Sequence, residues 1–142
     1  MIRWRYLCYK NRSGGNDIVP LLTRLTAKGR ANARRAMEHL RQKDIQWWER
    51  PHASHVRSYN HIYVIRFKDE NRTPWRLLGF HERALSVFVL TNTATERDSA
   101  YEPANYGSIA SERMEQCLSA WRERVCSCLA SIPSMAALGQ EA

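Results

Sequence analysis

The chain has 142 residues, 44% hydrophobic and 25% charged, with a formal net charge of +8. That length suits one domain with one real core, and the composition sits near the globular norm, so disorder is not the default reading. No stretch approaches the roughly eighteen apolar residues of a membrane span, and MIRWRYLCYK lacks the apolar core and cleavage site of a secretory signal; the expected location is cytoplasmic, with no membrane partner.

The charge is unevenly placed. Residues 1–50 carry 12 Lys+Arg against 4 Asp+Glu, residues 51–102 carry 7 against 6, and the remainder 3 against 4. A concentrated basic face favours a polyanionic partner, chiefly nucleic acid or the ribosome, against the competing reading of a solvated helix face. Cys8, Cys117, Cys126 and Cys128 have no metal-ligand spacing and no nearby histidine to complete a zinc site. In a cytosolic chain they are expected as reduced, small hydrophobic residues.

In chain order, residues 2–9 (IRWRYLCY) alternate Arg3 and Arg5 against Trp4 and Tyr6, which predicts a first strand. The glycine-bearing run 11–17 is a loop. Asp17 is an N-cap candidate for a short helix over 18–25, with Pro20 tolerated in its first turn. Thr26 caps a second helix over about 27–42. There Ala33, Ala36, Met37 and Leu40 make one apolar stripe, and Arg30, Arg34, Arg35 and Arg41 lie mostly off it. The two helices form a hairpin with a basic outer face. Residues 44–55 follow, where Trp47 and Trp48 are expected to plug the core edge, with base stacking as the alternative.

An antiparallel three-strand meander is predicted next, over 61–68, 74–80 and 85–91. Period two puts Ile62, Val64, Arg66 and Lys68 on one face and Tyr63, Ile65 and Phe67 on the other, the core face. Residues 94–103 (ATERDSAYEP) read as a loop. A terminal amphipathic helix starts at Ser108, carries Ala110, Met114, Cys117, Leu118, Trp121, Val125, Cys128 and Leu129, and ends before Pro133. The organisation is a single α+β domain over 1–130 with a flexible tail over 131–142.

Strand, helical hairpin, antiparallel meander, charged loop and closing helix is the element order of the RelE/ParE toxin superfamily. The chain resembles its phage-derived, HigB-like branch from about Trp4 to Trp121. IYVIRF (62–67), WRLLGF (75–80), FVLTNTATERDSAYEP (88–103) and IASERM (109–114) carry the resemblance. Val64 stands where many members have glutamate, and Glu96-Arg97 where many have consecutive lysines. The resemblance implies a RelE-like fold: an N-terminal strand and helical hairpin packed on an antiparallel meander, with a C-terminal helix. It implies a type II toxin that cleaves messenger RNA on the ribosome without a metal or cofactor and is neutralised by a cognate antitoxin protein. A ParE-like gyrase inhibitor and a non-catalytic nucleic-acid- or protein-binding member of the same fold are the alternatives.

In such a reaction the RNA 2′-hydroxyl attacks the adjacent phosphate. The protein moves two protons and stabilises extra charge on the phosphorane. Arginine suits the charge, because its fork meets two phosphate oxygens and stays ionised. By resemblance Arg66, Arg76, Arg97 and Tyr101 form the catalytic set. Arg76 stabilises the phosphate unless it is a surface ion pair, and Tyr101 relays a proton or stacks a base unless it packs the terminal helix. Lys68, Arg57 and His61 would contact substrate, and Arg30, Arg34 and Arg35 would grip ribosomal RNA. His55, His61, His81 and Glu96 are the acid–base candidates; Glu96 is equally a simple ion-pair partner for its sequence neighbour.

Overall fold

The computed structural model describes residues 3–140. Ile2, the first residue of the expected first strand, lies outside the described residues, as do positions 141–142 of the expected tail. One seven-stranded sheet forms the middle layer: β1 Arg5–Tyr9, β2 Ala53–His55, β3 Tyr63–Lys68, β4 Pro74–Glu82, β5 Val87–Arg97, β6 Ala100–Glu102 and β7 Val125–Cys126. The spatial order is β2-β3-β4-β5-β1-β7, and β6 pairs with β5. The pairing is antiparallel throughout except for β1, which runs parallel to β5. The fold class is α+β, and no helix among the described residues is long and apolar enough to cross a membrane.

Both faces of the sheet are covered. Helices α1 Ile18–Arg24 and α2 Ala27–Arg41 pack on one face, where Trp4, Tyr6, Ile65, Leu77 and Phe88 meet Leu22, Met37 and Leu40. Burying each such side chain contributes roughly 1.5–3 kcal/mol. Helix α3 Tyr106–Ser119 covers the other face through Ala110 and Cys117, above Leu7, Val64, Leu78, Phe80 and Val89. β1 therefore feeds both cores, Tyr6 and Cys8 into one and Leu7 and Tyr9 into the other. β3 does the same: the face carrying Ile62 and Val64 is buried up to Arg66, where it turns polar.

Several local expectations hold. Thr26 caps α2, its hydroxyl accepting from the Gly29 N–H at 3.3 Å, and the apolar stripe of α2 is buried. Asp17 does not cap α1. Asn16 Oδ1 accepts from the N–H groups of Ile18 and Val19 at 2.9 and 2.8 Å, leaving Asp17 to pair with Arg113 at 2.6 Å. The two tryptophans divide: Trp48 is 4% exposed and bonded to the Leu40 and Lys43 carbonyls, whereas Trp47 is 59% exposed.

Three regions differ from the sequence reading. The run 94–103 is not a loop. β5 continues through it to Arg97, and β6 pairs back in register Glu96↔Tyr101 and Arg97↔Ala100. The reversal sits on Asp98 and Ser99, at φ 52° and 66°. Two consecutive left-handed residues make the tight hairpin turn whose twist matches its strands, and Asp tolerates that conformation better than most residues. The terminal helix stops at Ser119 instead of running on to Pro133. A short helix α4 Trp121–Arg124, strand β7 and two 3-10 segments, Cys128–Ser131 and Pro133–Gly139, follow it.

The expected loose tail is the third difference. Met135 and Leu138 are buried in the larger core, and Arg41 clasps the segment. Its Nε donates to the Trp4 carbonyl at 2.9 Å, Nη1 to Ala137 at 3.0 Å and Nη2 to Gln140 at 2.6 Å. Cys8 and Cys128 are joined as a disulfide across 120 residues, Cα–Cα 5.8 Å, contrary to the expectation of four reduced thiols. Cys117 and Cys126 are free, and burial pushes the Cys117 thiol up to about 12, as for an inert core cysteine.

Candidate functional site

The polar end of the sheet lies on the α3 face, beyond the smaller core. Arg66 on β3 stands directly opposite Arg76 on β4 in the strand register. Two guanidiniums side by side repel, and the fold relieves this with a carboxylate from the next strand. Arg76 Nε and Nη2 both donate to Glu96 Oε1, at 3.2 and 2.8 Å, and Arg66 Nη2 lies 3.6 Å from the same oxygen. Arg66 Nη1 donates to the Tyr101 hydroxyl at 3.1 Å, and the Arg76 guanidinium carbon sits 5.7 Å from the centre of the Tyr101 ring. Arg76 is 4% exposed, and its Nη1 also donates to the Trp75 carbonyl at 2.9 Å.

The electrostatics follow from this packing. The hydrogen bond from Arg76 holds the Glu96 carboxyl below its ordinary range, with the charges of Arg76, Arg66 and Arg50 acting in the same direction against burial. Glu96 is therefore a carboxylate at neutral pH and a poor proton acceptor, which argues against its use as a general base. Burial, then the charge of Arg76, lower the Arg66 pKa from its ordinary value. Two cations share one anion, so the cluster keeps a net positive charge, and Arg50 adds to it.

Around this cluster the surface is grooved. A cleft of about 290 Å³ is lined by Arg50, Pro51, Arg66, Phe67, Lys68 and Arg76. It shares Pro51, Arg66, Phe67 and Lys68 with a second cleft of about 330 Å³, which reaches Asn32, Arg35 and His52 on the α2 side. The groove passes round the edge of β3, because β2 pairs only with Tyr63, Val64 and Ile65. Asn32 Nδ2 donates to the Lys68 carbonyl at 2.8 Å and ties that edge to α2.

Of the residues singled out from sequence, Arg66, Arg76 and Tyr101 converge, and Lys68 lines the groove beside them. Arg97 does not join them. It follows Glu96 in β5, so strand alternation directs it to the opposite face of the sheet, where it is exposed. Glu96 pairs with Arg76 and Arg66, not with its sequence neighbour Arg97. Arg30 is turned inward, its Nη1 donating to the carbonyls of Leu22, Thr23 and Leu25. It caps the C-terminus of α1 and is not free to grip RNA. Arg35, bonded to Asn32 at 3.2 Å, lines the groove. Arg34 is exposed on the hairpin and His61 on the approach to β3. Arg57 lines a larger neighbouring pocket. His81 packs between Trp4 and Tyr63, ring centroids 5.6 and 5.9 Å away, and burial lowers its pKa.

One residue beside the groove escaped the sequence reading. His52 lines the α2-side cleft, and its ring lies 4.1 Å from that of His39. His39 comes from α2 and His52 from an irregular segment that the Arg66 N–H anchors at the His52 carbonyl, 2.8 Å. No local pattern in the chain could have paired them. Burial, then His52 and Lys43, lower the His39 pKa, so this imidazole is neutral at physiological pH.

The geometry is that of two guanidiniums bridged by one carboxylate oxygen, opening on a basic groove. Among the described residues no group of three His, Cys, Asp or Glu side chains is arranged to hold a metal ion. Comparison with protein-family models, curated proteins and solved structures gives no significant match.

Proposed function

We propose that the protein is a RelE-like toxin of a type II toxin–antitoxin system, which cleaves messenger RNA on the ribosome with the RNA 2′-hydroxyl as nucleophile. The observation that carries this reading is the Arg66–Arg76–Glu96–Tyr101 cluster at the bend of a basic groove. A phosphodiester arriving there exchanges with Glu96 as the partner of Arg76 and Arg66. The exchange swaps one anion for another, so the two guanidiniums remain compensated throughout.

In the reaction the 2′-hydroxyl releases its proton to solvent water, the 2′-oxygen bonds to phosphorus, and the bond from phosphorus to the 5′-oxygen breaks. The products are a 2′,3′-cyclic phosphate and a 5′-hydroxyl. Arg66 and Arg76 bear the charge that develops on the phosphorane. The Tyr101 hydroxyl accepts a hydrogen bond from Arg66, which leaves its own proton for the leaving 5′-oxygen, and it regains a proton from solvent after cleavage. Lys68 and Arg35 extend the phosphate track, and a cognate antitoxin neutralises the toxin by covering the groove. No metal or cofactor enters this scheme.

A second reading has its own support. Glu96 already occupies Arg76, and among the described residues no histidine ring hydrogen-bonds to Arg66, Arg76, Glu96 or Tyr101, which suits a member of the same fold that binds RNA without cutting it. A reconstituted translation reaction separates the two. Purified protein should cut the message within a codon, and Arg76→Ala should slow cutting roughly 100- to 1,000-fold, the usual effect of removing one donor to a charged transition state. Undiminished cutting by Arg76→Ala removes the site as drawn. Stalled but intact message favours the binding protein, and gyrase-linked DNA breaks favour a ParE-like inhibitor.

A further inference from the structure

Beside the arginine cluster lies a larger pocket, about 640 Å³, between residues 54–59 and the junction of β6 with α3. That volume is in the range of small-ligand clefts, about 300–1,000 Å³. Three tyrosines stand on its wall, Tyr59, Tyr101 and Tyr106. Tyr101 and Tyr106 lie against each other, ring centroids 4.7 Å apart at 48°. Tyr59 lies flat on the start of α3, because position 107 is glycine: a Cβ there would come within 2.5 Å of Tyr59 Cε2. Arg50 and Arg57 supply two cations, both on exposed residues.

The pocket is continuous with the phosphate site in two ways. Arg50 lines both cavities. Tyr101 presents its ring to the pocket and its hydroxyl to Arg66. A ligand spanning the two needs an anion at one end and a flat, polar-edged group at the other. Single-stranded nucleic acid repeats that combination at every residue, and unstacked bases rest on aromatic rings with Arg holding the backbone.

We propose that this pocket holds one unstacked base, with its sugar, of the RNA whose phosphate lies at Arg66 and Arg76. The inference rests on the phosphate-binding reading of the cluster and adds a base-recognition site that the cluster does not contain. Tyr59 and Tyr106 provide the stacking surface. Ser54, Ser58 and Asn105, all on the pocket wall, provide donors and acceptors for the edge of the base. Arg57 meets the next phosphate along the strand.

Binding of small probes to the intact protein tests it, by calorimetry with inorganic phosphate, ribose 5-phosphate and the four nucleoside monophosphates. At least one nucleoside monophosphate should bind ten times or more tightly than ribose 5-phosphate. Tyr59→Leu should erase that preference. Arg57→Ala, at an exposed position that folding does not depend on, should weaken a dinucleotide more than a mononucleotide. Equal binding of ribose 5-phosphate and every nucleoside monophosphate, with inorganic phosphate still bound and still lost in Arg76→Ala, overturns the base site and leaves the phosphate site standing. Absence of phosphate binding to the unmodified protein overturns both.

Discussion

Two pairs of arginines in this molecule look alike in the sequence and are used differently. Arg30 and Arg41, both on α2, spend their donors on backbone carbonyls: Arg30 on the end of α1, Arg41 on Trp4, Ala137 and Gln140. Arg66 and Arg76, on adjacent strands, are held mainly by one carboxylate and one hydroxyl beside an open groove. A carbonyl that belongs to a helix end or a core segment cannot leave without unfolding something. A side-chain carboxylate at a groove can be displaced by another anion. The first pair is fixed structure, and the second is exchangeable charge.

The sharpest way to break this contrast is Arg76→Ala, which should slow the proposed message cutting roughly 100- to 1,000-fold, the usual effect of removing such a donor, while the protein still melts cooperatively. Arg41→Met should do the opposite. It strips the charged donor from three buried or part-buried carbonyls, and the unfolding free energy from urea titration should drop by about 3 kcal/mol. Its cutting rate, measured well below the melting point, should be unchanged. A loss under about 1 kcal/mol would mean that the C-terminal segment does not depend on the clasp.

Glu96→Gln gives a smaller effect that separates holding from catalysis. The folded-state pKa of Glu96 is depressed, so the stability it contributes is fully present above the ordinary carboxylate range and is lost as pH falls through the folded value. The unmodified protein should therefore lose melting temperature more steeply than Glu96→Gln below about pH 4. At neutral pH the variant should be less stable by roughly 1.5–3 kcal/mol, the value of a hydrogen bond to a charged group, and should bind inorganic phosphate more tightly. A general base at this position would instead show an unchanged phosphate affinity and a collapsed cutting rate. The smallest effect belongs to Arg97→Ala, with stability within about 0.5 kcal/mol, as for other exposed substitutions, and cutting within about threefold. A loss matching that of Arg76→Ala would return Arg97 to the site.

Where the sequence could be read and where it could not follows one division. The stripe of α2, the Thr26 cap and the alternation in β3 are carried by residues three or four positions apart, or two, so their outcome was legible locally. The hairpin 94–103 is not legible locally, because Glu, Arg and Asp in succession look like a solvated loop. Its pairing depends on two left-handed residues, Asp98 and Ser99, whose backbone angles leave no pattern in the side chains. Read as a loop, the segment offers Arg97 to the site and to Glu96; paired as a hairpin, it turns Arg97 away and sets Glu96 on Arg76 and Arg66. The C-terminal segment is illegible for a similar reason. Its small residues carry little periodicity, and the side chain that holds it, Arg41, lies about a hundred positions away.

By itself the sequence determined a basic, mixed α+β domain whose strand faces turn from apolar to cationic at Arg66 and Arg76. Periodicity and charge are properties of neighbours along the chain, and they survive any arrangement of the elements. Only the tertiary structure decided which acceptor each cation meets. Strand register brought Arg66 opposite Arg76 and set Glu96 and Tyr101 against them, while the helix ends claimed Arg30 and the carbonyls of distant segments claimed Arg41. An arginine's role is fixed by the acceptor it finds, and these acceptors lie on other elements of the fold.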